Sequence, residues 1–491
     1  MRTLIGKALR SHAADARKPA ALVAPAGPVS YAELVGRVER CAAWLVREGC
    51  TPSIPVGVSV VDETDCLVAV LALLDLGIPQ VGLPTGMPGP MRLALARRLA
   101  IGRIVVDDPG HALAGTPASV LVPDDARNPA GIAPMPLEAD PDAPALYASS
   151  SGTTGIPKVL ALSQRVIAWR AWQVAHVQSY APDERVLVPM STQEYPGKSM
   201  RLYTLLPGGT AVMWPGRAAT PPPVPSYCVA MRATTLQLTV LQARALAKDG
   251  GGERLPASTR VFLGASRMPS GLPAAFESRV GGRVFNRYGT TEIGIVSTMY
   301  PDGDDGTPDS VGRPSAGVEI EIVDLAGRPL PPGEPGEIRL RCERMVERYV
   351  DDPVATSRHF VDGWFYPHDV AMLTPEGVLR YLGRKDDLMM LNGINIFPAE
   401  IERVLEDHPA VRSAAAFPIA SATYGDIPAA AVELNGTMAT DAPSLARYAR
   451  ERLGVRAPRR VVIVDTLPRN AAGKVVKREL AAAFGASGAD A

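Results

Sequence analysis

The feature that most restricts the fold is a repeated alternation of helical and strand-like apolar segments along the first part of the chain. From Tyr31 to Val46 apolar residues recur at helical spacing in YAELVGRVERCAAWLV, and EGCTPSIPVGVSVV then reads as a turn followed by a buried strand. CLVAVLALLDLG repeats the plan as a buried helix ended by Gly77, with IPQVGL as its strand. Helices that alternate with wholly apolar strands cover the faces of a parallel or mixed sheet. RVLVPM, a helical stretch around 201–206 and GTAVMW continue the pattern as far as the Pro-rich PPPVP, which reads as a loop. After Gly312 the period shortens. VEIEIVD, GEIRLRC, VAMLT and VLRYLGR are alternating strands joined by turn sequences such as PPGEPGE and TPEG, which predicts a β-rich subdomain. From about Asp387 the chain reads as a small α+β unit, with helices at PAEIERVLEDH and APSLARYARERL.

At 491 residues the chain exceeds what one hydrophobic core supports. The expected fold class is therefore α/β. A large N-terminal domain of several subdomains spans 1–384, with mixed sheets covered by helices beside a β-rich subdomain. A boundary follows at 385–388, and a small α+β domain spans 389–491. The 51 basic and 51 acidic residues cancel, so no bulk field draws the protein to nucleic acid, and a small-molecule partner is expected. The cysteines Cys41, Cys50, Cys66, Cys228 and Cys342 are odd in number and lack CxxC spacing. That pattern implies neither a disulfide framework nor a zinc site and fits a reducing cytoplasm. Met1 to Val23 carries charges throughout, and the apolar run Cys66 to Leu83 is broken by Asp75 and Pro79, so neither a signal peptide nor a membrane span is expected.

The strongest local signal is Tyr147-Ala-Ser-Ser-Ser-Gly-Thr-Thr-Gly-Ile-Pro-Lys158. Glycines let backbone N–H groups approach oxygens, hydroxyls donate further hydrogen bonds and the lysine adds a point charge, so such a loop can wrap polyphosphate. It is not a Walker A sequence. Taken alone, it also reads as a flexible Ser/Gly linker.

Further motifs follow in a fixed order: Asn286-Arg-Tyr-Gly-Thr-Thr-Glu292, VGRPSAGVEIEIVD from Val311, Asp362-Gly-Trp-Phe-Tyr-Pro-His-Asp369, Gly383-Arg-Lys-Asp-Asp387 with LMMLNGINIFPAEIE, and Pro468-Arg-Asn-Ala-Ala-Gly-Lys474. With this set the sequence resembles, over nearly its whole length, the adenylate-forming superfamily of acyl-CoA synthetases, nonribosomal-peptide adenylation domains and luciferase. It is nearest in character to the aryl-CoA ligases. The resemblance implies a carboxylic acid activated by ATP and Mg²⁺ to an acyl-adenylate, and transfer of the acyl group to CoA or another phosphopantetheine thiol. A carrier protein or a non-thiol nucleophile is the alternative acceptor, and an inactive nucleotide-binding protein is the remaining reading.

The same resemblance implies residue roles. Ser149, Ser150, Ser151, Gly152, Thr153, Thr154, Gly155 and Lys158 would hold the β- and γ-phosphates. Thr291 would bind the α-phosphate, and Glu292 the metal. Tyr288, with Asn286 and Gly289 in its motif, would face adenine opposite Gly264, Ala265 and Ser266. Asp369 would accept from the ribose hydroxyls, and Arg384 would add a positive fork beside it. Lys474 would bridge the acid's carboxylate and the α-phosphate. Asp386 matches the hinge position about which a mobile small domain rotates, and Asn392 and Gly393 would line the thiol passage. Tyr195, Gly197, Lys198, Ala265, Gly289 and Gly294 would form a compact acid pocket, with Lys198 either reading an anionic or hydroxyl group or lying as an exposed loop charge. A small or aromatic acid is expected, no aspartate suits an α-amino group, and the resemblance is compatible with a homodimer. Three departures stand out: Ser163-Gln164 in place of Thr-His, Pro367-His368 in place of Thr-Gly, and Arg348-Tyr349 in place of Gly-Tyr.

Overall fold

The computed structural model describes residues 3–120, 139–150, 158–215, 220–250, 252–269, 271–300, 309–391, 394–421, 425–469 and 474–485. Local chemistry sets the early elements. The Ser30 hydroxyl accepts from the Glu33 N–H at 3.1 Å, which starts the helix Tyr31–Arg47. Asp62 caps the helix Glu63–Asp75, whose residues Cys66 to Leu74 are all buried. That helix has no polar face because it is packed against the helices Leu4–Ala13 and Tyr31–Arg47 and against the sheet below. The PPPVP segment is not wholly a loop, for the helix Val224–Ala230 begins inside it. Proline is tolerated there because the first helical N–H groups have no intrahelical partner.

Among the described residues the strands form four sheets. In the first, Ala118–Val120, Arg103–Val106, Val56–Ser59, Gln80–Gly82 and Pro144–Ser150 run parallel, and Lys158–Ser163 closes the edge antiparallel with Ser150 opposite Lys158. The second sheet has a parallel centre that includes Thr235–Thr239, Leu255–Gly264 and Gly281–Thr290, and Gly294–Met299 folds back antiparallel on the last of these. The third is the antiparallel β-rich unit, in which Pro335–Cys342, Asp369–Leu373 and Leu379–Arg384 are neighbours. A 3₁₀ turn over Lys385–Asp387 leads into the fourth sheet, formed by Met389–Leu391, Ile394–Ile396, Val411–Ser421, Gly425–Leu434 and Arg460–Ile463.

The apolar clusters of the described residues divide at that turn. Two lie wholly after it, one around Met389, Ile401, Leu405 and Val432 and the other around Phe417, Leu467 and Leu480. The seam between the small unit and the rest is polar instead. Arg267 Nη2 lies 2.5 Å from Glu406 and Nε 3.4 Å from Glu402, and Arg244 reaches Glu406 at 3.3 Å and the Ser413 hydroxyl at 3.0 Å. Arg403 pairs with Asp309 across the same seam. Glu402, Arg403 and Glu406 all belong to the helix Pro398–Glu406, which carries these ion pairs, while Ser413 lies on the strand Val411–Ser421.

Gly312 shows how tightly the second and third sheets meet. Its φ is +82°, and a Cβ there would sit 1.9 Å from the Thr298 carbonyl oxygen. Gly312→Ala should lower stability by about 2 kcal/mol or more, since both the left-handed backbone and the clash oppose it. Gly327→Ala, at φ +75° with open space around it, should cost only about 1 kcal/mol. Thermal denaturation of the two variants measures the difference.

Candidate active site

The tyrosine motif is shaped by its glycines. The strand Gly281–Thr290 turns back on Gly294–Met299 with a register shift between Tyr288 and Gly289. A Cβ on Gly289 would lie 2.6 Å from the Gly294 carbonyl oxygen, and Gly294 itself has φ +101°. The tight turn places Thr291 and Glu292 at its tip, where the Ile293 N–H donates to Thr290 Oγ1 at 3.1 Å. Asn286 is drawn away from the cleft, its amide donating to the Ser310 carbonyl at 3.1 Å, and so acts as a brace. Across the parallel register stand buried Gly264 and exposed Ala265, the latter at φ +74°. A non-glycine residue in that region is strained. Ser266 follows and leads into the docking residue Arg267.

Antiparallel pairing sets Asp369 opposite Arg384. Arg384 Nη1 donates to Asp369 Oδ1 at 3.0 Å and to the Pro367 carbonyl at 2.7 Å, while the Tyr288 hydroxyl donates to Asp369 Oδ2 at 2.5 Å. Tyr381 stands beside both, with its hydroxyl 3.5 Å from Oδ1 and its ring 5.7 Å from that of Tyr288. Burial, reinforced by the Asp369 charge, pushes the Tyr288 and Tyr381 hydroxyls well above the ordinary range. Each therefore stays a neutral donor.

A second group forms around Lys158. The Val350 N–H donates to the Val159 carbonyl at 2.8 Å, and this joint seats Tyr349 beside the lysine. Lys158 Nζ lies 5.0 Å from the Tyr349 ring centroid, and the Tyr349 hydroxyl donates to Glu292 Oε1 at 2.7 Å. Lys158 Nζ also lies 2.6 Å from His359 Nε2. Burial lowers the Lys158 pKa, with the Glu292 charge opposing the shift. Glu292 is buried and makes no ion pair among the described residues. A carboxylate so placed, with one oxygen on a phenol, fits a hard cation. No group of three or more His, Cys, Asp or Glu side chains suited to a metal occurs among the described residues, so such a cation would draw its other ligands from phosphate and water.

Ser149 and the backbone of Ser150 belong to the strand that pairs with Lys158–Ser163. Ser151, Gly152, Thr153, Thr154 and Gly155, like Asn392 and Gly393, lie outside the described residues.

On the acid side the structure separates residues grouped by sequence. Tyr195 accepts from Arg170 Nη1 at 2.8 Å and lies 3.1 Å from the Tyr203 hydroxyl, and Arg170 Nη2 donates to the Glu292 carbonyl at 2.7 Å. Gly197 is a packing residue, since a Cβ there would meet the Ser191 carbonyl oxygen at 2.2 Å. Lys198 is in neither a loop nor the open: it is 1% exposed within the helix Tyr195–Leu205, and its Nζ donates to Gln80 Oε1 at 3.3 Å. Burial pulls its pKa down to about 8. Gln164, one of the three departures, turns into the core, accepting from the Ile5 N–H at 3.1 Å and donating to the Leu74 carbonyl at 2.9 Å.

Arg287 escaped notice in the sequence because it lies inside the tyrosine motif. It stands opposite Thr298, and a Cβ on Gly264 would be 3.9 Å from its Nε. Its Nη1 is buried without an acceptor, as is Thr298 Oγ1, and no acidic side chain among the described residues pairs with it. Burial lowers its pKa to about 10. His359, Glu337 and Arg170 were equally unmarked by any motif.

Lys474 reaches this cleft from the small unit. Burial lowers its pKa, with the Asp369 charge acting in the opposite direction, although part of the side chain remains exposed. Nearby, Lys477 Nζ pairs with Glu402 at 2.7 Å and approaches Asp387 at 3.8 Å. Asp386, in the 3₁₀ turn, lies 3.4 Å from Arg358 and 3.9 Å from Arg384.

This gathering of an aspartate–arginine pair, two lysines and a buried carboxylate accords with one class of protein: enzymes that activate carboxylic acids with ATP as acyl-adenylates. The model for AMP-binding enzymes matches residues 9–350, and that for the AMP-binding enzyme C-terminal domain matches residues 400–474. The chain belongs to the AMP-binding enzyme family. It is 28% identical to a feruloyl-CoA synthase of Amycolatopsis sp over 93% of this chain and 94% of that one. It is 33% identical to a 2-succinylbenzoate--CoA ligase of Geobacillus kaustophilus over 50% of this chain and 51% of that one. The solved structure of ATP-bound MatB from Rhodopseudomonas palustris superposes with a TM-score of 0.87 at 25% identity, covering 99% of both chains.

Lys198 yields a test of position. Below pH 8 it is charged in both folded and unfolded chains, and its burial cost is fully present; as pH rises from about 8 towards 10.5 the folded form gives up the proton first and that cost is relieved. Lys198→Met should therefore melt a few degrees higher at pH 7, by about 1–2 kcal/mol, with the advantage shrinking by pH 9.5. Thermal denaturation at the two pH values measures this.

Proposed function

We propose that this enzyme joins a small carboxylic acid bearing a second anionic or strongly accepting group to the AMP moiety of ATP, releasing pyrophosphate, and then passes the acyl group to the thiol of CoA, releasing AMP. The observation that carries the reading is the meeting of Lys474 with the Asp369–Arg384 pair, in the same cleft as Lys158 and Glu292. In the first step a carboxylate oxygen attacks the α-phosphorus while pyrophosphate leaves in line. The two reactants are both anions, so the barrier falls when fixed cations stand between them. Lys474 is the residue that bridges them, and Lys158 takes charge on the leaving pyrophosphate. Asp369 and Arg384 orient the ribose, with Tyr288 against adenine. Glu292 would hold Mg²⁺, whose contribution when bound is to neutralise phosphate oxygens.

Arg287 supports the second anionic group on the acid. A buried guanidinium with an unmet donor and no acidic partner is costly, and a substrate carboxylate or sulfonate of the right reach removes that cost. CoA as acceptor is supported by the two named relatives that are CoA enzymes. A carrier protein and a non-thiol nucleophile remain outcomes of the assay.

A panel of mono- and dicarboxylic acids, assayed for pyrophosphate release with and without CoA, tests the reading. Stimulation by CoA is expected, and no release with any acid would overturn it. Lys474→Ala should reduce adenylate formation by about 10²-fold or more while a supplied acyl-adenylate still reacts with thiol. Arg287→Met should lower kcat/KM for the preferred dianionic acid by about 10- to 100-fold and leave its monoanionic analogue within about threefold. An equal loss on both acids would remove Arg287 from substrate recognition.

A further inference from the structure

The helix Pro353–His359 ends on a histidine that no motif required. His359 is 6% exposed. Its Nδ1 is 2.7 Å from the Tyr366 carbonyl oxygen, which can only accept, so Nδ1 carries the proton and the lone pair of Nε2 faces Lys158 Nζ at 2.6 Å. The ring is neutral, since burial and then the neighbouring cations pull its pKa down to about 4.

Behind it stands His368, one of the substitutions that set this chain apart. The two imidazoles meet edge to face with centroids 4.6 Å apart. His368 has φ +59°, where glycine fits without strain, so the side chain itself must offset the cost of the backbone. Its Nδ1 lies 2.9 Å from Glu337 Oε1, and Glu337 Oε2 accepts from Lys385 Nζ at 2.7 Å. The Lys385 N–H donates to the His368 carbonyl at 2.8 Å. A continuous set of contacts thus runs from Lys158 to the first residue of the 3₁₀ turn between the two domains.

We propose that His359 is the positioning residue of Lys158: its Nε2 accepts one ammonium hydrogen and so fixes the direction of the lysine head group for polyphosphate, while His368, Glu337 and Lys385 fix the imidazole from behind. A lysine on a flexible four-carbon stem binds phosphate as a point charge and gains most from being held in one direction before the ligand arrives. The inference rests on the assignment of Lys158 to polyphosphate, and the experiment separates the two.

KM for ATP and KM for the acid are measured by acid-dependent pyrophosphate release in the full-length enzyme, together with melting temperatures. Lys158→Met is expected to raise KM for ATP. Unchanged ATP dependence in that variant would remove the polyphosphate assignment itself. His359→Leu should raise KM for ATP about tenfold, the effect of one lost charge-assisted hydrogen bond, with KM for the acid within about twofold. His359→Gln, whose amide oxygen can accept from the lysine, should return KM for ATP to within about threefold of the parent. With Lys158→Met impaired, the positioning role is overturned by a normal ATP KM in His359→Leu, by His359→Gln being as impaired as the leucine variant, or by parallel rises in both KM values. If His359→Leu does not fold, His368→Gly takes its place. It relaxes the backbone and removes the ring behind His359, and a normal ATP KM there would equally overturn the proposal.

Discussion

The residues after the 3₁₀ turn Lys385–Asp387 meet those before it through charge. Arg267 lies between Glu402 and Glu406, Arg244 reaches the same Glu406, and Lys477 meets Glu402 from the small domain's own side. Burial alone would raise Glu402; Lys477 and Arg267 overcome that and hold it below the usual carboxylate range. Removing one member of such a set strands the others in a poorly hydrated place, so the set behaves as a unit. Because Arg267 directly follows Ser266, the contact adjoins the end of the strand Leu255–Gly264, which pairs with the strand that carries Tyr288.

The site itself is an arrangement of charges that do not cancel internally. Tyr288 on one oxygen of Asp369 and Arg384 on the other fix its direction. Glu292 and Lys158 are close enough to feel one another, and each also contacts a neutral group, the Tyr349 hydroxyl or the His359 imidazole. Neutral hydroxyls and imidazoles serve as spacers here. They orient the ions without neutralising them, which is the condition for electrostatic stabilisation that requires little rearrangement when the ligand binds.

Much of this was legible in the sequence because it is local. The alternation of helix and strand gave the sheets, and the shift to short strands after Gly312 gave the β-rich unit, since periodicity reports which face of a segment is covered. The ordered motifs located Tyr288, Glu292, Asp369, Arg384 and Lys474. What could not be read were contacts between residues far apart in the chain. Lys158 and His359 are distant in sequence, as are Arg170 and the Glu292 carbonyl, and neither pair leaves a spacing pattern. Lys198 illustrates the converse: a lysine just after Pro196 and Gly197 reads as a loop charge, yet Gly197 to Leu205 of its helix are all buried and carry it inside. Gln164, read as the loss of a histidine contact, is in the structure a core bridge between Ile5 and Leu74.

A seam held by ion pairs has a thermodynamic character of its own. Its arginine–glutamate contacts are largely withdrawn from water, so dissolved salt screens them less than it screens pairs on the open surface, and the strength of the seam depends on each charge keeping its partner.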